Sequence, residues 1–409
     1  MRRRSPGVTA ELSLAWLLEP LPVETFLNEV WAKEHHHIAR DCPSYFDALL
    51  PGPSIVDEIL ELIRHEPTVL RMVRGRDKKG PDSYRQAGGS LDIAAVRNDL
   101  ADGYTIVVDG LEQYARTVGT LARALEVELN FATQVNAYVT PPASSGLVPH
   151  YDDHDVLILQ IHGSKTWHLY VGADRRPREI QRDSEKAVDL ESLPTATELG
   201  LQAGDVLYVP RGCVHAARTH SESSVHLTVG IHVPTVLMLA VGALYSRSFH
   251  DDRLNARLPV RHLDDATLSA TMQALVREAV DSATDSGGVA DSLNLLADVL
   301  VRRGNCPPVG QIADVKAIDE WTRVAKHQPL YSRVKDADNG VTLEFASLSI
   351  GAGPDHAAAL RFVSSSTAPF RVGDLPGLQP RQRTDLARTL IVSGFLVRLP
   401  EGGADGRDG

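Results

Sequence analysis

Cysteine is scarce in this chain. Its 409 residues hold three, Cys42, Cys213 and Cys306, far apart and in no CxxC pair. That argues against a disulfide framework or a zinc knuckle and fits a reducing, cytoplasmic compartment. Long apolar runs are also missing: none approaches the roughly 18 residues needed to span a membrane. The basic start "MRRRSPGVTAELSLAWLLEP" lacks an apolar core and a small-residue cleavage site, so it reads as a short disordered arm, not a signal peptide. Positive charge is outnumbered, 42 Lys+Arg against 53 Asp+Glu, for a formal charge of −11. Phosphate binding is carried by a Lys/Arg excess, so no nucleic-acid partner is expected, whereas a cationic peptide or Arg-rich protein fits. No internal repeat or low-complexity block occurs.

What is present is ordinary globular composition, 43% hydrophobic and 23% charged, in a chain long enough for two or three domains. Residues 8–65 read as helices and loops broken by Pro20 and Pro22, with His35, His36 and His37 as a solvated or partly packed run. "YTIVVDG" (104–110) predicts a strand ending in an Asp-Gly turn. An amphipathic helix follows, with Val118, Leu121, Ala122, Leu125 and Leu129 on one face. "QVNAYVTPP" (134–142) predicts a strand stopped by two prolines, and several short strands punctuated by Gly/Pro turns come next. That pattern suggests a β-sandwich or barrel. Beyond Pro234 the periodicity turns helical, and from about 306 a smaller mixed segment ends in a helix, a Ser-Gly turn and a short strand.

Eight of the sixteen histidines fall between 150 and 232. Two histidines and a carboxylate on one face, with open positions, are the ligand set of non-haem Fe(II) oxygenases. On a strand, i and i+2 share a face, so His-x-Asp/Glu is its economical form. That pattern occurs four times, at His150, His220, His250 and His262. Only His150-Tyr-Asp152 leads into a strong strand and has a well-placed later partner, His215, after the strand and tight turn "GDVLYVPRGCVH". Lys165 sits after the Gly163-Ser164 turn in an apolar setting. Projecting into a barrel it would need an anion, which a dicarboxylate would supply; otherwise it is a surface lysine. Asn136, Tyr138 and Thr140 alternate along one face of their strand, as hydrogen-bonding groups beside that lysine or as an ordinary polar face.

Taken in order, Asn136-x-Tyr138, His150-x-Asp152, Gly163-x-Lys165, Gly204-Asp205, Pro210-Arg211-Gly212, His215 and "VHLTVGIHVP" resemble the JmjC/cupin-type ribosomal oxygenases. The likeness extends to "FLNEVWAKEHHHIAR", the helical middle and "LARTLIVSGFLV", and so to nearly the whole chain. It implies an α+β fold: a double-stranded β-helix with N-terminal helices over 1–235, a helical dimerisation region over 236–305, and a winged-helix-like domain over 306–409. It implies a homodimeric, Fe(II)- and 2-oxoglutarate-dependent hydroxylase that uses O2 on a peptidyl side chain, such as Arg or His of a ribosomal protein. His150, Asp152 and His215 would hold iron. Lys165 would pair with the distal carboxylate of 2-oxoglutarate, Tyr138 and Asn136 would contact the co-substrate, and His226 and Thr228 would face the cavity. One departure stands out: Gly230 replaces a hydroxyl residue frequent in relatives, removing a hydrogen bond and enlarging the pocket there.

Strand parity puts His154 on the ligand face and Asp153 and Asp155 on the other, lining the mouth or merely solvated. His162 and His168 read as packed or surface residues, and Cys213 as a packed thiol. Substrate choice is assigned to loops such as 66–92 and 172–199. Two other readings stay open: the same chemistry on a biosynthetic peptide or small molecule, and a non-catalytic cupin or winged-helix regulator that senses a ligand.

Overall fold

Alternation along three antiparallel strands builds the scaffold of the site. A computed structural model describes residues 12–50, 55–173, 190–284, 286–304 and 317–400, with Val188 and Val315. The arm at 1–11 and the tail at 401–409 lie outside the described residues, as do 174–187 and 189 of the 172–199 segment. Contacts divide the chain into two compact units, Met1–Val233 and Pro234–Gly409.

In the first unit the strands are β1 His36–Ile38, β2 Leu70–Arg74, β3 Asp77–Lys79, β4 Thr105–Val108, β5 Ala132–Thr140, β6 Asp155–His162, β7 Ser164–Leu169, β8 Thr197–Gln202, β9 Val206–Val209, β10 His215–Arg218 and β11 Ser224–His232. Eight form one sheet in the order β1-β9-β6-β11-β5-β4-β2-β3, and β10-β7-β8 form a second. Every pairing is antiparallel. Val135, Ala137 and Val139 of β5 and Val225, Leu227, Val229 and Ile231 of β11 pack into one large core. The helix Arg116–Leu129 adds Val118, Leu121, Ala122 and Leu125 to it. The intervening residues, Asn136 and Tyr138 on β5 and His226 and Thr228 on β11, line a cavity instead. A slip of one residue would exchange the two faces, so the apolar set fixes the register that turns the polar set inward. The pairings His226↔Tyr138 and Thr228↔Asn136 keep that polar set side by side.

The expected 66–92 loop contains the β2–β3 hairpin at the sheet edge, flanked by the short turns Pro67–Val69 and Pro81–Tyr84. Its sequence, "LRMVRGRDKKG", is too charged to announce a strand, yet Leu70, Met72 and Val73 are buried. A second, smaller core of Val156, Ile158, Trp167, Leu169, Leu201, Leu207, Val209 and Cys213 joins β6 and β9 to the three-stranded sheet.

In the second unit, helices Val236–Arg247, Ser269–Ala283 and Ser286–Val301 precede two three-stranded sheets. One comprises β12 Arg323–Lys326, β16 Phe370–Arg371 and β17 Leu396–Arg398; the other comprises β13 Ser332–Ala337, β14 Gly340–Phe345 and β15 Leu348–Ala352. Helices Ala357–Ser365 and Pro380–Val392 close their shared core, which includes Phe345, Leu360, Leu390 and Phe395. No helix among the described residues is long and apolar enough to cross a membrane.

Candidate metal and co-substrate site

His150 and Asp152 do not stand on a regular strand. They lie in the segment before β6, and a single antiparallel bridge between His150 and His215 fixes them. His150 N donates to His215 O at 3.0 Å and His215 N to His150 O at 2.8 Å. Asp152 is tied separately, its carbonyl accepting from Gly212 N at 3.0 Å. The i, i+2 geometry thus holds locally without a strand. One ligand atom from each of His150, Asp152 and His215 lies within 4.8 Å of the other two, the one such group of His, Cys, Asp or Glu among the described residues. His215 Nε2 is 3.6 Å from Asp152 Oδ2.

Both imidazoles are oriented for a cation. Nδ1 of His150 lies 2.9 Å from Val148 O and Nδ1 of His215 lies 2.9 Å from Cys213 O. Because a carbonyl can only accept, each Nδ1 carries a proton, which leaves Nε2 as the nitrogen available to a metal. Burial, then the neighbouring His215, pushes His150 down to about 4, with Asp152 pulling the other way. Two imidazoles beside a carboxylate are the donor set of a divalent transition metal.

Lys165 lies across the cavity on β7 and is 4% exposed. The turn before it requires glycine: Gly163 has φ +66°, and a Cβ there would stand 2.0 Å from Ser223 O. The ammonium donates to Thr140 Oγ1 at 2.9 Å, and that hydroxyl also receives a bond from Thr105 at 3.2 Å. No carboxylate among the described residues pairs with the lysine, and burial alone lowers its pKa to about 7. Trp167 Nε1 and His226 Nδ1, also lining this cavity, are buried without hydrogen-bond partners. A buried cation and two orphaned ring nitrogens around a cavity of about 200 Å³ make a cradle for a small anion. The residues present therefore fit both a metal and a dicarboxylate.

His226 stacks on Tyr138, with centroids 4.8 Å apart and planes 5° apart, and meets Trp167 edge-on at 5.3 Å. Burial, and secondarily Lys165, holds His226 far below its ordinary pKa, so it is neutral. Burial raises Tyr138, which keeps its phenolic proton. Asn136 has its amide oxygen fixed by Gly110 N at 2.9 Å and Gln134 Nε2 at 3.2 Å.

Several expectations change. Asp155 is neither at the mouth nor solvated; it is 4% exposed and accepts from Tyr208 Oη at 2.6 Å and Arg211 N at 3.3 Å, pinning the turn that carries His215. Gly230 does not enlarge the pocket. A Cβ there would lie 2.7 Å from Cδ2 and Nε2 of His154, so the imidazole occupies that space. His154 lines the cavity, with Nδ1 3.0 Å from Asp153 Oδ1 and its ring 4.5 Å from His232. His37 is partly packed, its Nε2 3.1 Å from Asp205. Cys213 is buried, as expected of a packed thiol.

Trp167 and Arg71 are among the lining residues that escaped the sequence. Trp167 had a signal, since it stands two residues after Lys165 on the same strand face. Arg71 had none; its place depends on the bidentate pair with Asp109, at 2.8 and 3.1 Å, across β2 and β4.

The fold and site together define a double-stranded β-helix protein with a triad able to hold a metal. Residues 113–239 match the model of the JmjC domain family. Among curated proteins it is 32% identical over 228 residues to the bifunctional lysine-specific demethylase and histidyl-hydroxylase NO66 of Aedes aegypti, covering 55% of this chain and 35% of that protein. It is 32% identical over 223 residues to the protein of the same name from Drosophila melanogaster, covering 54% and 33%. The chain thus spans about a third of the length of these relatives. Among solved structures, Escherichia coli YcfD aligns with TM-score 0.57 at 16% identity, over 93% of this chain and 98% of that one. A structure of that ribosomal oxygenase with cobalt and 2-oxoglutarate aligns with TM-score 0.54 at 16% identity, over 93% and 99%. At that identity the likeness establishes the fold.

Proposed function

We propose that this protein is an Fe(II)- and 2-oxoglutarate-dependent hydroxylase of a peptidyl side chain. The observation that carries the reading is Lys165, a buried cation without an anion among the described residues, facing the same cavity as a triad of two histidines and a carboxylate. His150, Asp152 and His215 would hold iron. The iron, with O2 and 2-oxoglutarate, supplies the oxidising chemistry, coupled to release of succinate.

The chain's own residues bind, orient and exclude water. Lys165 and Thr140 receive the distal carboxylate, with Trp167 and His226 as neighbours able to hydrogen-bond it. Tyr138 and Thr228 line the space between that end and the triad. Asn136 is four residues from Thr140 along β5, or about 13 Å by strand rise. That placement fits contact with the target better than with the distal carboxylate.

The relatives' names support a protein substrate, with Arg or His of a ribosomal protein as the first candidates, in the cytoplasm. We further propose that 236–305 mediates homodimerisation. Val236, Val241 and Tyr245 of its first helix and Val260 and Leu263 beyond it are more than half exposed, an apolar surface that a partner copy would cover. The segment 306–409 is proposed to be winged-helix-like. The test is O2-dependent succinate formation by the iron-loaded protein, with mass spectrometry of ribosomal proteins from deletion and wild-type cells. A target lighter by one oxygen in the deletion strain is expected. Folded, iron-loaded protein that forms no succinate refutes the reading.

A further inference from the structure

Beside His150 and Asp152 the cavity continues outward as a groove of about 500 Å³. The two share Arg71, Tyr138, Leu147, His150 and Asp152, so a molecule entering from this side reaches the triad along the groove. Leu147, Val148 and Pro149 form one wall, and the tip of the β2–β3 hairpin, with Gly75, Arg76 and Lys78, forms another. The walls are tied together: Gly75 N donates to Gly146 O at 2.8 Å and Gly75 bridges to Leu147.

The hairpin's five cations divide into two sets. Arg71 chelates Asp109, Arg74 donates to Asp102 O at 2.9 Å, and Lys79 pairs with Asp99 at 2.7 Å. Arg76 and Lys78 are exposed and make no ion pair or hydrogen bond among the described residues. Asp77, between them in sequence, is turned to the Tyr104 hydroxyl. A chain with formal charge −11 thus presents, at the entrance of its site, two cations with no ion-pair partner among the described residues. Local charge, not net charge, decides what docks there.

We propose that this groove receives a polypeptide through an acidic side chain, held by Arg76 and Lys78, a few positions from the residue delivered to the triad. The inference rests on the hydroxylase reading only for the statement that a target enters here. RNA is the poorer occupant: two cations are few for a polyanion, and the outer walls offer Leu147, Val148 and Pro149 instead of an aromatic stacking platform.

The test uses the full chain loaded with Fe(II) and 2-oxoglutarate under nitrogen. Labelled short peptides centred on His or Arg, and flanked by Glu, Gln or Lys, are titrated by fluorescence anisotropy. Glu-flanked peptides are expected to bind about tenfold more tightly than Lys-flanked ones at low salt, with the gap closing as salt rises. R76E/K78E should invert the order, and R76K/K78R should keep it. Equal or tighter binding of Lys-flanked peptides, an order unchanged in R76E/K78E, binding of no peptide, or polyuridylate outcompeting the Glu-flanked peptides would each overturn the proposal. Succinate formation in air, measured separately without peptide, tests the hydroxylase reading. Its absence alongside the predicted peptide order would sink that reading and leave the groove assignment standing.

Discussion

Replacing Lys165 by methionine should stabilise the ligand-free protein while abolishing its response to 2-oxoglutarate. The lysine is wholly buried with one neutral partner, Thr140, and its pKa falls from the usual 10.5 to about 7. In the unfolded chain the amine holds its proton up to about pH 10.5, whereas the folded chain releases it near 7. Between those values the unfolded state binds more protons, so folding stability rises with pH across the window. At roughly 1.4 kcal/mol per pH unit, the buried ammonium costs up to about 4 kcal/mol at pH 7, about 2 at pH 9, and nothing above about pH 10.5. Methionine keeps the volume and removes the charge, and Thr140 retains its bond with Thr105. Denaturant unfolding should therefore show K165M more stable than wild type at pH 7, with the difference shrinking by pH 9. Saturating 2-oxoglutarate at a hundredfold over Kd should stabilise iron-loaded wild type by about 2.7 kcal/mol and the variant by almost nothing. A variant less stable than wild type by the same amount at both pH values, and still stabilised by 2-oxoglutarate, would refute the reasoning.

Other perturbations separate the remaining parts. D152A removes the one anionic ligand and should reduce bound iron and iron-dependent succinate formation to background; full turnover would place the metal elsewhere. D155A strips the acceptor from Tyr208 Oη and Arg211 N and should cost about 2–3 kcal/mol in urea unfolding, with weaker iron binding through the loosened His215 turn. Unchanged stability would mean that water replaces the carboxylate. G230S should displace the His154 ring and cost about 1–3 kcal/mol, and adding H154A should recover most of that loss, a coupling that a double-mutant cycle reads directly. Additive effects would show that the ring and residue 230 do not compete for space.

The barrel was legible where one face of a strand is apolar and the other polar. β5 and β11 carry that alternation over nine residues each, so Asn136, Tyr138, His226 and Thr228 could be assigned inward before any coordinates. The triad was legible because His-x-Asp needs only a local extended geometry; the bridge to His215 supplies it without the strand that the spacing suggested. Asp155 was misjudged because parity tells which way a side chain points and not what covers it; Tyr208, 53 residues on, does the covering. The Gly230 departure was visible, but its filling by His154 depends on contact between β11 and the segment before β6. Arg71 and the hairpin cations were hidden for the same reason: what pairs with Asp109, Asp102 or Asp99, and what is left over, is decided across strands.

The central claim is that one chain binds one Fe(II) and one 2-oxoglutarate at this cavity. Anaerobic titration of the protein with Fe(II) and then 2-oxoglutarate, followed by visible absorption, tests it most directly. A charge-transfer band saturating at one equivalent of each, absent in D152A and requiring far more 2-oxoglutarate in K165M, is the predicted result. Folded wild-type protein that develops no band at saturating iron and 2-oxoglutarate would contradict the account.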